Sequence, residues 1–516
     1  MRCLLPLALL CLAARAEDSL EQPLGDLRAA SHNAGAVMVE SIVAGQPSLE
    51  AVLNALEKGV PVPRDKAGWQ TLKAVDEAGT VRPYHLYISE KAHASAEPVP
   101  LLVDLHGGIA TPNYRPPEAV QYRRQLWEAI ADAGGFVIAF PVGRADCAWW
   151  TDAGVRHVRA CVRDAKRRAH IDDGRIVGAG FSDGGSGCYY MALSGPDPFA
   201  AFLPLNGSPA VASGAGGRQL YLRNLRLTPL FVAMTDSDQL YPAKSVLPHL
   251  KRALEAGAPI RHFSVPGGHE LVYFADKSGE FMKFVADAKR ESLPAKLEWL
   301  CAEPELGEVR WLKILELGPT AGDAAALPDL NVMTEKGRVR LGVHTSRTFM
   351  GPGVSVEKVV EGSAAERMGL KPDDLIFEVD AVPIETLQDL RAALGAKTYG
   401  EEVLVKVVRG DEDLLLKGRF PPFKPEPIYP RAKPAAHLTL SAEGNTLTVT
   451  SRNVRRFKLL LSPRQFDLSK EIVVTVNGKE RLRKKFAPDL AYLLHGYVRN
   501  ADAGRLFAAE AVIDLK

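Results

Sequence analysis

Arg175-Ile176-Val177-Gly178-Ala179-Gly180-Phe181-Ser182-Asp183-Gly184-Gly185 is the stretch that decides how this 516-residue chain folds. Arg175–Gly180 is a short, largely apolar run with strand character, and a helical run is expected over Ser186–Leu193. Between them stands G-x-S-x-G, from Gly180 to Gly184. A serine between two glycines at a strand-to-helix junction sits on a tight, strained turn with its hydroxyl presented at the top. Ser182 is therefore a candidate nucleophile. A hydroxyl alone is a poor one, so a base and an orienting acid are required from elsewhere.

Working outward, short apolar runs alternate with longer amphipathic ones from about Gln70 to Ala288. Strands are expected at Gln70–Val75, Tyr84–Ser89, Pro100–Leu105, Phe136–Pro141, Ala201–Leu205, Pro229–Met234 and Ile260–Val265. Helices are expected at Gln121–Ala133, Val155–Arg168 and Ala243–Ala256. Buried strands alternating with helices make an α/β, doubly wound and mostly parallel sheet. Such sheets gather their ligand sites at the carboxyl ends of the strands.

The remaining chemistry falls at those ends. An acid and then a histidine should follow the serine in chain order. Strand Pro229–Met234 runs into Thr235-Asp236-Ser237-Asp238, and Ile260–Val265 runs into Pro266-Gly267-Gly268-His269. His269, beyond a Gly-Gly pair, is the expected base. Asp238, four residues before Pro242, is the expected acid; Asp236 competes for that role. The acid would hold the imidazole tautomer and stabilise the imidazolium without being protonated itself. His106-Gly107-Gly108 ends the early strand Pro100–Leu105. The backbone N–H groups of Gly108 and of Asp183 are the expected oxyanion donors.

Leu105-His106-Gly107-Gly108, GFSDGG, the Asp238 loop and PGGH together resemble the α/β-hydrolase superfamily over about Gln70–Arg290. Trp149-Trp150 after Cys147, with IDDGRIVGAGFSDGG, are most similar to its feruloyl esterase and polyhydroxybutyrate depolymerase branch. That resemblance implies carboxylic ester hydrolysis through an acyl-enzyme, with Trp149 and Trp150 candidates for the pocket wall. A peptidase related to the prolyl oligopeptidases is an alternative. An inactive hydrolase fold serving as a scaffold is another, since folds host many functions.

A second unit carries LGV (Leu341-Gly342-Val343), GVSVEKVVEGSAAERMGLKPDDLIFEVDAVPI and ETLQDLRAAL, which resemble a bacterial PDZ domain. The resemblance implies capture of a peptide or protein C-terminus, with Leu341, Gly342 and Val343 as the carboxylate loop opposite a helix at Thr386–Leu394. The C-terminal piece alternates like strands, with the hairpin signal Asn477-Gly478 and one helix near Leu490–His495.

The expected organisation is a signal peptide over 1–16, a helical region over 17–69 and an α/β-hydrolase catalytic domain over 70–300. A linker over 301–334, a PDZ domain over 335–420, a Pro-rich linker over 421–436 and a small, mainly β domain over 437–516 complete it. Arg2, the apolar stretch Cys3–Ala13 and Ala14-Arg15-Ala16 form a secretory signal, cut after Ala16, so the chain is expected to be exported. The net charge of +2 gives no reason to expect nucleic acid, and no later apolar stretch is long enough for membrane insertion. Cys147, Cys161, Cys188 and Cys301 lack metal-ligand spacing, and their pairing stays open. No metal or organic cofactor is implied.

Overall fold

The computed structural model describes residues 20–516 apart from Ser31, Pro61, 110–116, 335–337 and 347–348. The expected signal peptide over 1–16 lies outside the described residues. The chain divides into two compact units. One joins everything up to Val332 with Tyr429–Lys516, and the other is Met333–Ile428.

The first unit is built on an eight-stranded sheet: β1 (Gly68–Val75), β2 (Val81–Ile88), β3 (Val99–Leu105), β4 (Val137–Pro141), β5 (Ile171–Phe181), β6 (Ala201–Leu205), β7 (Leu230–Thr235) and β8 (Ile260–Val265). Their order across the sheet is β1-β2-β4-β3-β5-β6-β7-β8. β1 and β2 form an antiparallel hairpin, turned at Asp76, whose carboxylate accepts the N–H groups of Ala78 and Thr80 at 2.9 and 2.8 Å. From β4 onward every neighbouring pair is parallel. β3, β4, β6 and β7 are buried along their whole length, which is why they read as unbroken apolar runs rather than alternating ones. Helices Asp152–Arg168, Asp183–Ser194, Ala243–Glu255 and Phe274–Asp287 connect or flank these strands.

Beyond this sheet the boundaries differ from those expected. Lys296–Cys301 pairs antiparallel with Ala436–Glu443, in a five-stranded sheet completed by Thr446–Arg452, Ile472–Val476 and Lys479–Lys484. Leu312–Leu317, inside the stretch read as a linker, pairs with Val454–Leu461, which in turn pairs with Ala509–Asp514. Leu312 and Ile314 are fully buried in the core these sheets share with Trp299, Trp311 and Phe457. The N-terminal helices contribute Leu24, Leu27, Val52 and Leu53 to the same core. The C-terminal strands therefore have no core of their own; the helical region, 296–317 and 436–515 bury one apolar surface together. The Pro-rich stretch is likewise packed in its second half, where Tyr429 is fully buried with its hydroxyl 2.8 Å from His249 Nδ1.

Buried ion pairs fasten this assembly to the main sheet. Arg28 donates to Asp173 on β5 at 3.0 and 3.2 Å, Lys166 lies 3.0 Å from the same carboxylate, and Arg290 donates to Asp502 at 2.6 Å. Arg310 pairs with Asp197. Cys147, Cys161, Cys188 and Cys301 are buried free thiols.

The second unit has its own core, including Leu341, Val356, Ile376, Leu390 and Val405. Its strands run in the order Val343–Thr345, Val354–Val359, Leu375–Val379, Glu402–Arg409 and Glu412–Arg419. Helix Leu387–Gly395 begins at a capping box formed by Thr386 and Asp389. Gly342 adopts φ 91°, and a Cβ there would lie 2.1 Å from that of Ser363, so the Leu341-Gly342-Val343 turn requires glycine.

Candidate active site

β5 ends at Phe181, and helix Asp183–Ser194 begins immediately after Ser182. The helix starts three residues earlier than the apolar pattern suggested, because the serine itself makes the turn. Ser182 has φ 60° and ψ −121°, a region that non-glycine residues avoid. The turn is held by packing. A Cβ on Gly184 would fall 1.8 Å from the carbonyl oxygen of Leu105, and one on Gly180 would fall 2.4 Å from that of Gly184. The Ser182 N–H donates to Leu205 O at 3.0 Å, tying the turn to the end of β6.

Three loops at strand carboxyl ends meet here. His269 Nε2 lies 2.8 Å from Ser182 Oγ, and His269 Nδ1 lies 2.8 Å from Asp238 Oδ2. Asp238 is buried, and its Oδ1 accepts the N–H groups of Leu240 and Tyr241, each at 2.8 Å. Burial pushes the Asp238 carboxyl up, but the hydrogen bonds from Asn206, Tyr241, His269 and Leu240 outweigh it and hold the group below the ordinary carboxylate range. A charged acceptor on Nδ1 leaves Nε2 as the acceptor facing the serine hydroxyl. Asp236, the competing acid, takes its side-chain hydrogen bond from Ser264 instead.

His106, Gly107 and Gly108 run against the serine. A Cβ on Gly107 would approach that of Ser182 to 2.8 Å, and Gly108 adopts φ 64°. His106 Nε2 accepts the N–H of Gly143 at 2.9 Å, so Nδ1 carries the proton toward Gly107 O, 2.8 Å away. The Asp183 carboxylate accepts the Ile109 N–H at 3.0 Å, which clamps this loop to the helix that follows the serine. Trp149 is not a pocket wall. It is fully buried, packs on Gly143 and Gly187, and donates its indole N–H to His106 O at 2.9 Å. A side chain with no exposed surface braces the glycine loop from beneath. Trp150 is partly exposed.

Several residues that complete the site carried no motif. Asn206, just past β6, donates to Asp238 Oδ2 at 2.9 Å and to Thr235 Oγ1 at 2.6 Å, while Tyr273 donates to its Oδ1 at 2.6 Å. Phe181 and Tyr241 flank the His269 ring, with centroids 4.8 and 5.7 Å away. The Tyr241 phenol is pushed up to about 12 by burial and by the nearby carboxylates of Asp183 and Asp238. Asn206 itself adopts φ 43° just past the strand end, a conformation asparagine tolerates better than most residues.

The strand order and the serine turn at the end of β5 define an α/β-hydrolase fold. Residues 333–417 match the family described as PDZ domain. The chain thus joins a sheet of the α/β-hydrolase type to a segment that matches a PDZ domain. It is 31% identical over 134 residues to a bifunctional acetylxylan esterase/xylanase of Neocallimastix patriciarum, covering 25% of this chain and 19% of that one. It is 30% identical over 223 residues to NocK of Nocardia uniformis subsp. tsuyamanensis, provisionally described as an esterase, covering 40% of this chain and 60% of that one. Over 66 residues it is 33% identical to the periplasmic pH-dependent serine endoprotease DegQ of Escherichia coli (strain K12), covering 13% and 14%. The chain therefore spans less than two thirds of each of these relatives.

Proposed function

We propose that this protein is an exported serine hydrolase that cleaves carboxylic esters through Ser182, His269 and Asp238. The observation that carries the reading is the unbroken hydrogen-bond chain from Ser182 Oγ through the imidazole to Asp238. Its likeness to two esterase-named relatives supports the ester class. His269 Nε2 takes the hydroxyl proton as Ser182 Oγ bonds to the ester carbonyl carbon. Asp238 stabilises the resulting imidazolium. The N–H groups of Gly108 and Asp183 receive the oxyanion, a contribution of roughly 2.7–4 kcal/mol for each donor of this kind. The imidazolium then protonates the departing alkoxide. Water, deprotonated by His269, releases the acid and restores the serine.

Export is read from Arg2, Cys3–Ala13 and Ala14-Arg15-Ala16. Among the described residues no helix is long and apolar enough to cross a membrane. In this reading Trp150 borders the substrate, and the PDZ domain takes a peptide or protein C-terminus at Leu341, Gly342 and Val343.

A fluorophosphonate probe should label the folded protein, and Ser182→Ala should abolish labelling. Absence of labelling in the wild type would remove the proposal. Turnover of p-nitrophenyl acetate and butyrate should exceed that of peptide p-nitroanilides; the reverse would make the protein a peptidase.

A further inference from the structure

A cavity of about 460 Å³ lies in the first unit, and none of its lining residues belongs to the Ser182, Asp238 or His269 loops. The 3-10 turn Leu222–Leu227, the stretch 319–330 and the stretch 431–437 wall it. Gly318–Leu330 reads in sequence as a Gly, Ala, Asp and Pro linker; in the fold part of it lines one side of this cavity. We propose that this chamber binds a small amphipathic monocarboxylate, with the carboxylate on Arg223 and the apolar body against Leu222, Leu300, Leu327 and Leu330.

The volume lies within the range of small-molecule sites, roughly 300–1,000 Å³. The charges decide the ligand. Asp329 is taken by Arg431 at 3.1 and 3.2 Å. Asp323 accepts the Thr320 hydroxyl at 2.8 Å and the Asn453 N–H at 3.0 Å. Glu298, next to the chamber, pairs with Arg226 and with His437 at 3.0 Å. Each of these carboxylates is therefore already satisfied.

Two of the cations keep unused donors. The Arg223 side chain is 17% exposed, pairs with Glu298 at 4.0 Å and makes no hydrogen bond among the described residues. Arg452 gives a single hydrogen bond, 2.8 Å to Ala324 O. A guanidinium carries five donors in a planar fork that suits a carboxylate. Unused donors at the wall of a chamber that is otherwise mainly apolar call for an acceptor that brings its own apolar body. The mainly apolar wall gives a bare inorganic anion such as phosphate few further donors and favours an acceptor carried on an apolar body.

Isothermal titration of the full chain with 4-phenylbutyrate, and with neutral 4-phenylbutyramide, tests this. The acid should bind saturably and about tenfold or more tighter than the amide. Arg223→Met should erase that preference by weakening the acid alone. Ala326→Trp, at an exposed position of the wall, should weaken both compounds by filling space. Melting midpoints near the wild type would show the variants folded. Equal binding of acid and amide, acid binding unaffected by Arg223→Met, or no saturable binding would each overturn the proposal.

Discussion

The side-chain amide of Asn206 sits 2.9 Å from Asp238 Oδ2, the same oxygen that faces His269. Tyr273 fixes the amide's orientation by donating to its oxygen at 2.6 Å. Asn206 thus keeps the Asp238 carboxylate charged and correctly turned. Asn206→Ala should lower kcat/KM for p-nitrophenyl acetate by about tenfold, the worth of one hydrogen bond to a charged group. Asn206→Asp should cost more, because two carboxylates at that spacing share a proton and leave His269 poorly held. Steady-state kinetics check both, and an Asn206→Ala enzyme with wild-type rates would deny Asn206 this role.

Backbone strain at Ser182 is kept for the position of one hydroxyl. Ser182→Gly and Ser182→Ala should both lose about 10⁴–10⁶-fold in kcat. They should differ in stability. At φ 60° and ψ −121° glycine is relaxed and alanine is not, so Ser182→Gly should be the more stable of the two by about 1 kcal/mol. Urea denaturation of the pair decides it.

The buried ion pairs set an acid limit. Asp502 is pushed up by burial, yet Arg290 and Lys166 draw it down to about 2, and Asp197 is likewise held well below its ordinary range by Arg310, Arg505 and Arg290 against its burial. A depressed carboxylate stabilises the fold above its ordinary value of 3.8 and loses that contribution as pH falls through its folded value. Stability should therefore drop from about pH 4 down to about pH 2. Asp502→Asn should flatten that decline and cost about 3–5 kcal/mol at neutral pH, because Arg290 is left buried without its partner. Circular dichroism across the pH range measures both effects.

Trp149→Phe removes the donor to the His106 carbonyl while keeping most of the packing. The expected cost is about 1–3 kcal/mol of stability from the unsatisfied carbonyl. A larger fall in kcat than in the affinity for substrate should accompany it, since the glycine loop above it shifts. A variant altered only in KM would make Trp149 a substrate contact after all.

The PDZ unit carries its own core, and its excision is predictable from the chain on either side. The Asn331 side chain accepts the Tyr429 N–H at 2.9 Å and donates to its carbonyl, so the two ends of the cut already meet. Replacing 333–428 by a short Gly-Ser link should leave the first unit folded, with a melting midpoint within about 5 °C of the full chain. Scanning calorimetry should show the lost unit as a separate transition.

Legibility in the sequence followed the range of the interactions. The serine turn, the acid, the histidine and the glycine loop each stand at a strand end beside local punctuation, so their positions could be read from short windows. Asn206 could not, because its work is done by partners 29, 32 and 67 residues away. Trp149 could be read only as a candidate for the pocket wall, because nothing local shows that Gly143 and Gly187 make room for it in the core. The alternation in Lys296–Cys301 and Leu312–Leu317 marked strands in principle. Their partners, Ala436–Glu443 and Val454–Leu461, lie beyond a complete intervening domain, and no local pattern reports such a pairing.

That interrupted pairing governs the order in which the newborn polypeptide can mature. Residues 20–317 leave the ribosome with an apolar flank whose covering strands have yet to be synthesised, while the inserted domain has everything it needs and can collapse first. Ala509–Asp514 stands at the opposite edge of the sheet that Glu308–Val309 and Leu312–Leu317 began about 200 residues earlier. Chain-terminating mutations before Ala509–Asp514 should therefore be as harmful as early ones, even though every catalytic candidate would already have been translated.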